Sequence, residues 1–306
     1  MQGIKRFLNF VEIRTKLATT LPFLAALAYV FYTIGTINLR STLIYICAAL
    51  LLDMSVTAIN SHFNTRKEGS GSPHYKTWVS LGIIAAMMLT SGALGFYLVY
   101  LHGVTILFAG LFCVFTGIAY SFGPAPICKS PYGELISGFT VSTVVMFIVV
   151  SINNPAFQPL GLAFIPSELR FMMDIDIVGL LFFVIVTLPS TLSVTNIMLA
   201  NNICDAEADR SFRYTLVHSI GLKNSLRLFT GLYYAAYLAI VVASFMRLIP
   251  LWCLLTLVTF LPVQKNIRRF LAKQSKRETF ALSVKNYAII MFVYTISMAV
   301  GGLLRL

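Results

Sequence analysis

The chain has 306 residues, of which 58% are hydrophobic and only 11% are charged. Apolar runs of about 20 residues, long enough to cross the hydrocarbon core of a bilayer, recur along the whole chain and exclude a water-soluble globular protein. The net charge of +12 does not indicate a nucleic-acid partner, because the basic residues follow a pattern of membrane topology.

Nine apolar segments predict nine transmembrane helices, because a helix satisfies its backbone hydrogen bonds within lipid. The sequence therefore predicts an all-α membrane protein that forms a single domain over residues 1–306. Residues 1–16 are amphipathic and predict an interfacial helix before the first span. On the far side, residues 153–173 are expected to lie at the interface. The spans are predicted over 17–35, 42–60, 78–100, 103–121, 134–152, 175–200, 227–246, 248–263 and 286–304.

The distribution of positive charge predicts the orientation of these spans. With the N-terminus inside, alternation places 19 of the 23 Lys and Arg residues on the inner side and 4 on the outer side. Such a bias is typical of cytoplasmic loops. We therefore expect a multi-pass protein of the cell membrane with a cytoplasmic N-terminus, whose basic loops also attract anionic membrane lipids.

The cytoplasmic end of the second span carries a polar stripe. In a helix over 51–69, the polar side chains fall within about 80° of one another. An ionisable residue within a span normally faces the interior of the bundle and has a function. The members of this first stripe are Asp53, Thr57, Asn60, Asn64 and Glu68.

Prolines mark two further positions in the chain. The turn GPAP (123–126) ends the fourth span after Tyr120. Because Pro lacks an N–H donor and extends the preceding backbone, two interpretations stay open: a loop that folds over a cavity mouth, or an ordinary helix end. Pro189 predicts a kink in the sixth span, which neighbouring Ser and Thr hydroxyls can accommodate.

A second polar stripe follows the sixth span, in the sequence NNICDAEADR (201–210). Asn201, Asp205 and Asp209 are four residues apart, so they share a stripe about 80° wide that rises about 12 Å along a helix. Glu207 points away from this stripe and is expected to face solvent or to pair with an Arg side chain. We refer to Asn201, Asp205 and Asp209 as the second stripe.

Two stripes with carboxylates at the same side of the membrane favour a metal-bound diphosphate. Carboxylate and amide oxygens suit Mg²⁺, which binds one or two carboxylates together with phosphate oxygens. The guanidinium and ammonium groups of Arg66, Lys67, Arg210 and Arg213 match phosphate oxygens, and an apolar cavity floor suits a lipid tail. Two alternatives stay open: stripes that only join helices or solvate loops, and a membrane transporter.

These motifs resemble those of the UbiA superfamily of intramembrane aromatic prenyltransferases. The second stripe matches the family motif N-x-x-x-D-x-x-x-D in full. The branch that prenylates 1,4-dihydroxy-2-naphthoate in menaquinone synthesis is similar in several other stretches. These are RTKLATTLPF (14–23), YSFGPAPI (120–127), GELISG (133–138) and RSFRYTLVHSIG (210–221).

The resemblance implies a bundle of nine helices around a cytoplasm-facing cavity, and Mg²⁺-dependent transfer of a polyprenyl group from its diphosphate to an aromatic acceptor. With 1,4-dihydroxy-2-naphthoate, decarboxylation would give demethylmenaquinone. Asp205 and Asp209 are the expected catalytic residues, and Asp53 and Tyr120 are assigned to the acceptor or the cavity. The expected metal ligands are Asn60, Asn64, Glu68, Asn201, Asp205 and Asp209. The expected diphosphate partners are Lys16, Arg66, Lys67, Arg210 and Arg213.

The first stripe departs from the family pattern N-D-x-x-D-x-x-x-D. Ser61 and Asn64 stand at two of its Asp positions and Glu68 at the third. This difference leaves open an inactive lipid-binding paralogue, or a prenyltransferase with another aromatic acceptor. The expected partners are otherwise a polyprenyl diphosphate, the acceptor and membrane lipids, with no nucleic acid.

Overall fold

A computed structural model describes residues 2–11, 16–67, 75–165, 170–210 and 213–304 of the protein. Most of these residues are helical. The α-helices are α1 (Gln2–Phe10), α2 (Leu17–Ile34), α3 (Leu39–Lys67), α4 (Thr77–His102), α5 (Val104–Ser121), α6 (Gly133–Gly138), α7 (Val145–Asn153), α8 (Ile177–Asp209), α9 (Leu216–Ile220), α10 (Leu222–Phe245), α11 (Phe260–Ala272) and α12 (Phe280–Leu303). A π-helix (Phe139–Val144) joins α6 to α7, and 3₁₀ helices cover Ile127–Lys129 and Leu251–Thr259.

Seven helical segments of the described chain are long and apolar enough to cross a membrane. Their outer faces carry large apolar side chains, and Trp78, Leu89 and Tyr100 are each at least 75% exposed. Water-soluble surfaces seldom expose so much contiguous apolar area, whereas lipid-facing helices do. The chain is therefore a multi-pass membrane protein.

Two of the nine predicted spans differ from the other seven. The first corresponds to α2, of which the apolar part Thr19–Ile34 is shorter than the other spans. The eighth, expected over 248–263, begins as the 3₁₀ helix Leu251–Thr259 and continues as α11. Seven spans agree with the structure, and the count of nine stays a prediction.

The prediction of an all-α fold is wrong in one region. The segment expected to lie at the interface contains an antiparallel hairpin of β1 (Leu160–Ile165) and β2 (Arg170–Ile175). Pro155 and Pro159 prevent α7 from continuing, and the apolar and aromatic residues that follow favour strands. The Leu162 N–H donates to the Thr105 hydroxyl (3.1 Å), which joins the hairpin to α5.

The N-terminal segment forms a short helix, α1, as the sequence predicts. The side chains of Phe10 and Val11 at its end are fully buried, and the Phe10 ring meets the edge of Tyr75 at a centroid distance of 5.4 Å. Thr57 Oγ1 on α3 lies 3.0 Å from the Val11 carbonyl oxygen, which ties this end to α3. The location of residues 1–16 at a membrane interface stays a prediction.

The long helices pack as two groups with shared neighbours. On one side α3 packs against α4 and α5, and on the other α8 packs against α10 and α12. The helix α2 contacts both α7 and α12 and so lies between the groups. Tyr294 of α12 is fully buried and donates to the Val186 carbonyl of α8 (3.0 Å), which fixes these two helices together.

Gly133–Asn153 runs without a break through α6, the π-helix and α7, and we call it the rod. Its contact with α8 is lined by hydroxyl groups. Ser190 donates to Ser142 (2.9 Å), and the Thr143 hydroxyl lies 2.8 Å from that of Thr191. At Gly138 a Cβ atom would lie only 2.1 Å from Thr195 Oγ1. Small residues allow such close approach of two membrane helices.

The helix α8 continues through Pro189. Ser193 donates to the Pro189 carbonyl at 2.7 Å, one turn further along. This is a bond from a serine to the carbonyl one turn earlier, and it does not replace the N–H donor that Pro189 withholds from the Ile185 carbonyl. The predicted kink at Pro189 stays a prediction.

We expect Gly138→Ala to destabilise the protein, because its methyl group would overlap Thr195 and the Thr191 carbonyl. Overpacking of this kind costs about 1–3 kcal/mol, more than the roughly 1 kcal/mol that Ala gains over Gly in a helix. Thermal unfolding in detergent would show a lower midpoint. Gly82→Ala is the matched control, because nothing lies within 4 Å of its added Cβ. Equal midpoints for both variants would contradict the close contact.

Candidate functional site

The second stripe lies on the last three turns of α8. Asn201 and Asp205 are brought together, with the Asn201 amide 3.4 Å from Asp205 Oδ2. Glu207 is exposed, as predicted from its helical angle. The stripe therefore presents one amide and two carboxylates along one face of the helix.

The ammonium group of Lys276 lies against this stripe. It donates to Asp205 Oδ2 (2.6 Å) and also to Asn201 Oδ1. Lys276 belongs to the turn between α11 and α12, more than 70 residues away in sequence. Two oxygen atoms of the stripe thus already converge on a single positive charge.

Asp209, the last residue of the stripe, has two different carboxylate oxygens. Its Oδ1 lies 3.6 Å from Arg213 Nε. Its Oδ2 is buried and has no hydrogen-bond partner among the residues that the structure describes. Arg210, which follows at once, is exposed. The Asp209 carboxylate thus retains an unused acceptor.

Buried polar groups on the rod and on α9 fix the helical turns that carry the stripe. Asn202 donates to Glu134 Oε1 (2.8 Å) at the start of the rod, and both side chains are buried. His218 of α9 donates through Nε2 to the Ala206 carbonyl (3.0 Å), while its Nδ1 accepts from Thr215. The last turns of α8 are therefore fixed to the rod on one side and to α9 on the other.

The first stripe lies on α3, which continues as a helix to Lys67. Asn60 is partly exposed in the C-terminal part of this helix. For the predicted members Asn64, Arg66 and Lys67 the structure describes the backbone and not the side chains, and Glu68 lies outside the described residues. Their roles stay predictions.

Asp53, deeper on the first stripe, forms an ion pair with Lys16. Lys16 Nζ donates to Asp53 Oδ1 (2.9 Å), to the Asp53 carbonyl (3.1 Å) and to the Thr57 hydroxyl (3.1 Å). Thr19 donates to the other Asp53 oxygen (3.2 Å). Lys16 is 5% exposed, and all three of its N–H bonds have acceptors in α3. Its predicted place beside a diphosphate stays a prediction.

A cavity of about 730 Å³ opens between α2, α3, α4, α5 and the rod. Its wall is mainly aliphatic and aromatic, and Asp53 is its one charged residue among those that the structure describes. Tyr120, at the end of α5, also lines it. Both residues predicted to face an acceptor or a cavity therefore do line a cavity. Its volume and apolar wall are those of a site for a largely hydrophobic ligand.

Tyr120 connects this cavity with the second stripe. Tyr120 lies within electrostatic range of Arg213 and Glu134. The segment after the GPAP turn lies here too, because the Tyr214 N–H donates to the Lys129 carbonyl (3.1 Å). Burial raises the pKa of the Cys128 thiol in this segment, while the positive charges of Arg213 and Lys129 oppose that rise in pKa. The polar second stripe and the apolar cavity thus adjoin each other.

The oxygen atoms of the second stripe fit a divalent cation. Asn201 Oδ1 and Asp205 Oδ2 already share one cationic partner, and Asp209 Oδ2 is a buried acceptor without one in the described chain. No three acidic, His or Cys side chains of that part converge as a metal site. Two carboxylates and an amide are nevertheless sufficient for Mg²⁺, which completes its octahedron with phosphate oxygens and water.

Sequence reasoning missed three of these residues. Glu134 gave a usable signal, because it is an acidic residue at the end of a predicted span, and Asn202 directly follows Asn201, the first residue of the stripe. Lys276 gave none, because it is one of seven basic residues in a segment (265–285) that the charge pattern only assigns to the inner side. Only the folded chain shows that this lysine reaches Asp205.

No protein-family model matches the chain. Among characterised proteins, the 1,4-dihydroxy-2-naphthoate octaprenyltransferase of Bacillus subtilis (strain 168) is 29% identical over 149 residues. This match covers 48% of the present chain and 41% of that relative's length. The sequence likeness is therefore partial.

Solved structures match over nearly the whole chain. A structure of digeranylgeranylglyceryl phosphate synthase has a TM-score of 0.64 at 17% identity and covers 99% of each chain. A UbiA homologue from Archaeoglobus fulgidus, bound to GPP and Mg²⁺, has a TM-score of 0.66 at 12% identity, covering 97% of this chain and 99% of that one. The same homologue bound to DMAPP and Mg²⁺ gives 0.65. The protein has the UbiA fold, which confirms the resemblance inferred from its motifs.

We expect Lys16 and Asp53 to be energetically coupled. Lys16→Met leaves a carboxylate at a buried position without its counter-charge, and breaking such a pair costs about 3–5 kcal/mol when burial is complete. Because the Asp53 side chain is 26% exposed, we expect about 2 kcal/mol.

Thermal unfolding in detergent of Lys16→Met, Asp53→Asn and the double variant would measure this coupling. The double variant should lose less stability than the two single losses together. Simple additivity would mean that the two residues contribute independently and would contradict the ion pair.

Proposed function

We propose that the protein is a Mg²⁺-dependent prenyltransferase that transfers a polyprenyl group from its diphosphate to an aromatic acceptor in the membrane. The observation that carries this proposal is the junction of an apolar cavity with the second stripe. Tyr120 lines the cavity and lies within electrostatic range of Arg213, which pairs with Asp209. A ligand with a charged head and a long apolar tail would satisfy both parts.

The diphosphate would be held at the polar end of this junction. Asn201, Asp205 and Asp209 would bind the metal, with Asn60, Asn64 and Glu68 as the second ligand set. Arg66, Lys67, Arg210, Arg213 and Lys16 are the proposed diphosphate partners. When bound, Mg²⁺ supplies positive charge against the negative charge that develops on the leaving diphosphate.

The reaction would break one C–O bond and form one C–C bond. The diphosphate leaves with the electron pair of the allylic C–O bond, and an electron-rich ring carbon attacks the resulting prenyl cation. Basic side chains fixed in advance stabilise the charge that develops on the diphosphate. The apolar cavity wall excludes water, so that the cation meets the ring first.

The acceptor we propose is 1,4-dihydroxy-2-naphthoate. Support comes from the motifs at 14–23, 120–127, 133–138 and 210–221 and from the partial likeness to the naphthoate octaprenyltransferase. The carboxylate would leave as CO₂ when the prenyl group is attached. The product is then the quinol form of demethylmenaquinone, which becomes the quinone when an external oxidant takes two electrons and two protons. Asp53 and Tyr120 are the residues that would face the acceptor.

The proposed location is the cell membrane, with the active site on the cytoplasmic side. The excess of basic residues on the side that holds both stripes supports this orientation. It would give the site access to the polar acceptor from the cytoplasm, and to the polyprenyl diphosphate and the lipid product in the bilayer.

The test is to incubate the purified protein in lipid vesicles with a polyprenyl diphosphate, 1,4-dihydroxy-2-naphthoate and Mg²⁺. Mass spectrometry should detect a prenylated naphthoquinol or naphthoquinone that chelator abolishes. A product only with another phenolic acceptor would change the acceptor and keep the reaction. If no acceptor gives a product, an inactive lipid-binding protein or a transporter is favoured, and a transporter would move its substrate across the vesicle unchanged.

We expect Asp205→Ala and Asp209→Ala to reduce kcat/KM at least 100-fold, because each removes a carboxylate from the second stripe. Glu207→Ala is the matched control. It removes an equal charge from the same two turns of α8, but its side chain is exposed and faces away. Product formation at saturating Mg²⁺ would measure the effect. Equal losses in all three variants would show that net charge, and not the stripe, is responsible.

A further inference from the structure

Lys276 contacts the second stripe from a distant part of the chain, the turn between α11 and α12. It lies in a turn that Thr279 holds in place, because its hydroxyl donates to the Lys273 carbonyl (2.8 Å) and accepts from the Ser275 N–H (2.9 Å). Its ammonium lies 5.0 Å from the centre of the Phe280 ring. The backbone of the turn is therefore fixed while the long side chain spans the gap to α8.

The ammonium occupies a position that a divalent cation would need. It donates hydrogen bonds to Asp205 Oδ2 (2.6 Å) and to Asn201 Oδ1, two oxygens of the stripe that lie one helical turn apart. Mg²⁺ bound to the same oxygens would lie about 2 Å from each. The two cations cannot share this position, and even about 4 Å apart their repulsion in water would lower metal affinity by roughly tenfold or more.

We propose that Lys276 is a tethered counter-ion, which neutralises Asp205 and donates to the Asn201 amide oxygen when no metal is bound, and is displaced when a divalent cation binds there. This inference rests on the metal site of the proposed function. The side chain is 44% exposed, so its ammonium can move into solvent without a rearrangement of the fold. The metal-free stripe is thereby kept assembled, and metal binding is weakened by the competition.

The test measures metal binding with no prenyl substrate present, so it does not depend on turnover. Mn²⁺ is the probe, and its free concentration is followed by electron paramagnetic resonance with the full chain in detergent. Lys276→Gln should bind Mn²⁺ about tenfold more tightly than the unchanged protein. Lys276→Arg retains the charge and should stay within about twofold.

Lys273→Gln is the matched control, because it removes the same charge from the same turn. Lys273 pairs with Glu278 (2.7 Å) and not with the stripe. It should leave Mn²⁺ affinity within about twofold, whereas a general effect of net charge would change both variants equally and would overturn the proposal. The Asp205→Asn substitution should remove the gain of Lys276→Gln.

The outcomes separate this inference from the proposed function. Mn²⁺ binding that needs Asp205 but does not change in Lys276→Gln overturns the counter-ion and leaves the metal site intact. Weaker binding in Lys276→Gln also overturns it, and would make the lysine a support of the metal site. If neither protein binds Mn²⁺ through Asp205, the metal site of the proposed function fails as well.

Discussion

The rod packs against α8 through hydroxyl groups and the bare backbone of Gly138, and the position of the candidate site depends on this contact. Membrane helices gain no hydrophobic energy from leaving lipid for one another, so close packing and hydrogen bonds must hold them. Thr195 of α8 packs against Gly138 of the rod. Two turns further along α8, Asn202 donates a hydrogen bond to Glu134 at the start of the rod. The segment before the rod contacts the segment after the stripe, because the Tyr214 N–H donates to the Lys129 carbonyl. One helix pair thus aligns the polar end of the site with the cavity wall.

Three ion pairs lie along the two stripes in the part of the chain that the structure describes. Lys16 pairs with Asp53, Lys276 with Asp205 and Arg213 with Asp209. An unpaired charge near lipid is costly, and the cost explains why these groups are matched one to one while Asp209 retains a single unused oxygen. Three separate pairs, rather than one network, mean that the site can exchange one partner without disturbing the others.

The sequence predicts the parts of this molecule that follow from local periodicity. Long apolar runs locate the helices, and the spacing of Asn201, Asp205 and Asp209 places them on one face with Glu207 on the other. The hairpin was not predicted, because its apolar residues look the same as an interfacial segment. The partners of Asp53 and Asp205 could not be predicted, because Lys16 and Lys276 are 37 and 71 residues away from them and no helical period relates such distances. Glu68 and the side chains at 63–67 keep their sequence-based roles.

The 3₁₀ helix Leu251–Thr259 has a consequence for the path of the chain. The helix α10 starts near the end of α8 and carries the chain about 36 Å away. The chain must come back over this distance to place Lys276 beside Asp205, and only 22 helical residues, Leu251–Ala272, are available for the return. A 3₁₀ helix rises about 2.0 Å per residue, so its nine residues cover about 18 Å, and the 13 residues of α11 add about 20 Å. The longer rise of this one segment lets a short return match the full length of α10. An ordinary α-helix of the same 22 residues would cover about 33 Å and stop about 3 Å short, roughly half a turn.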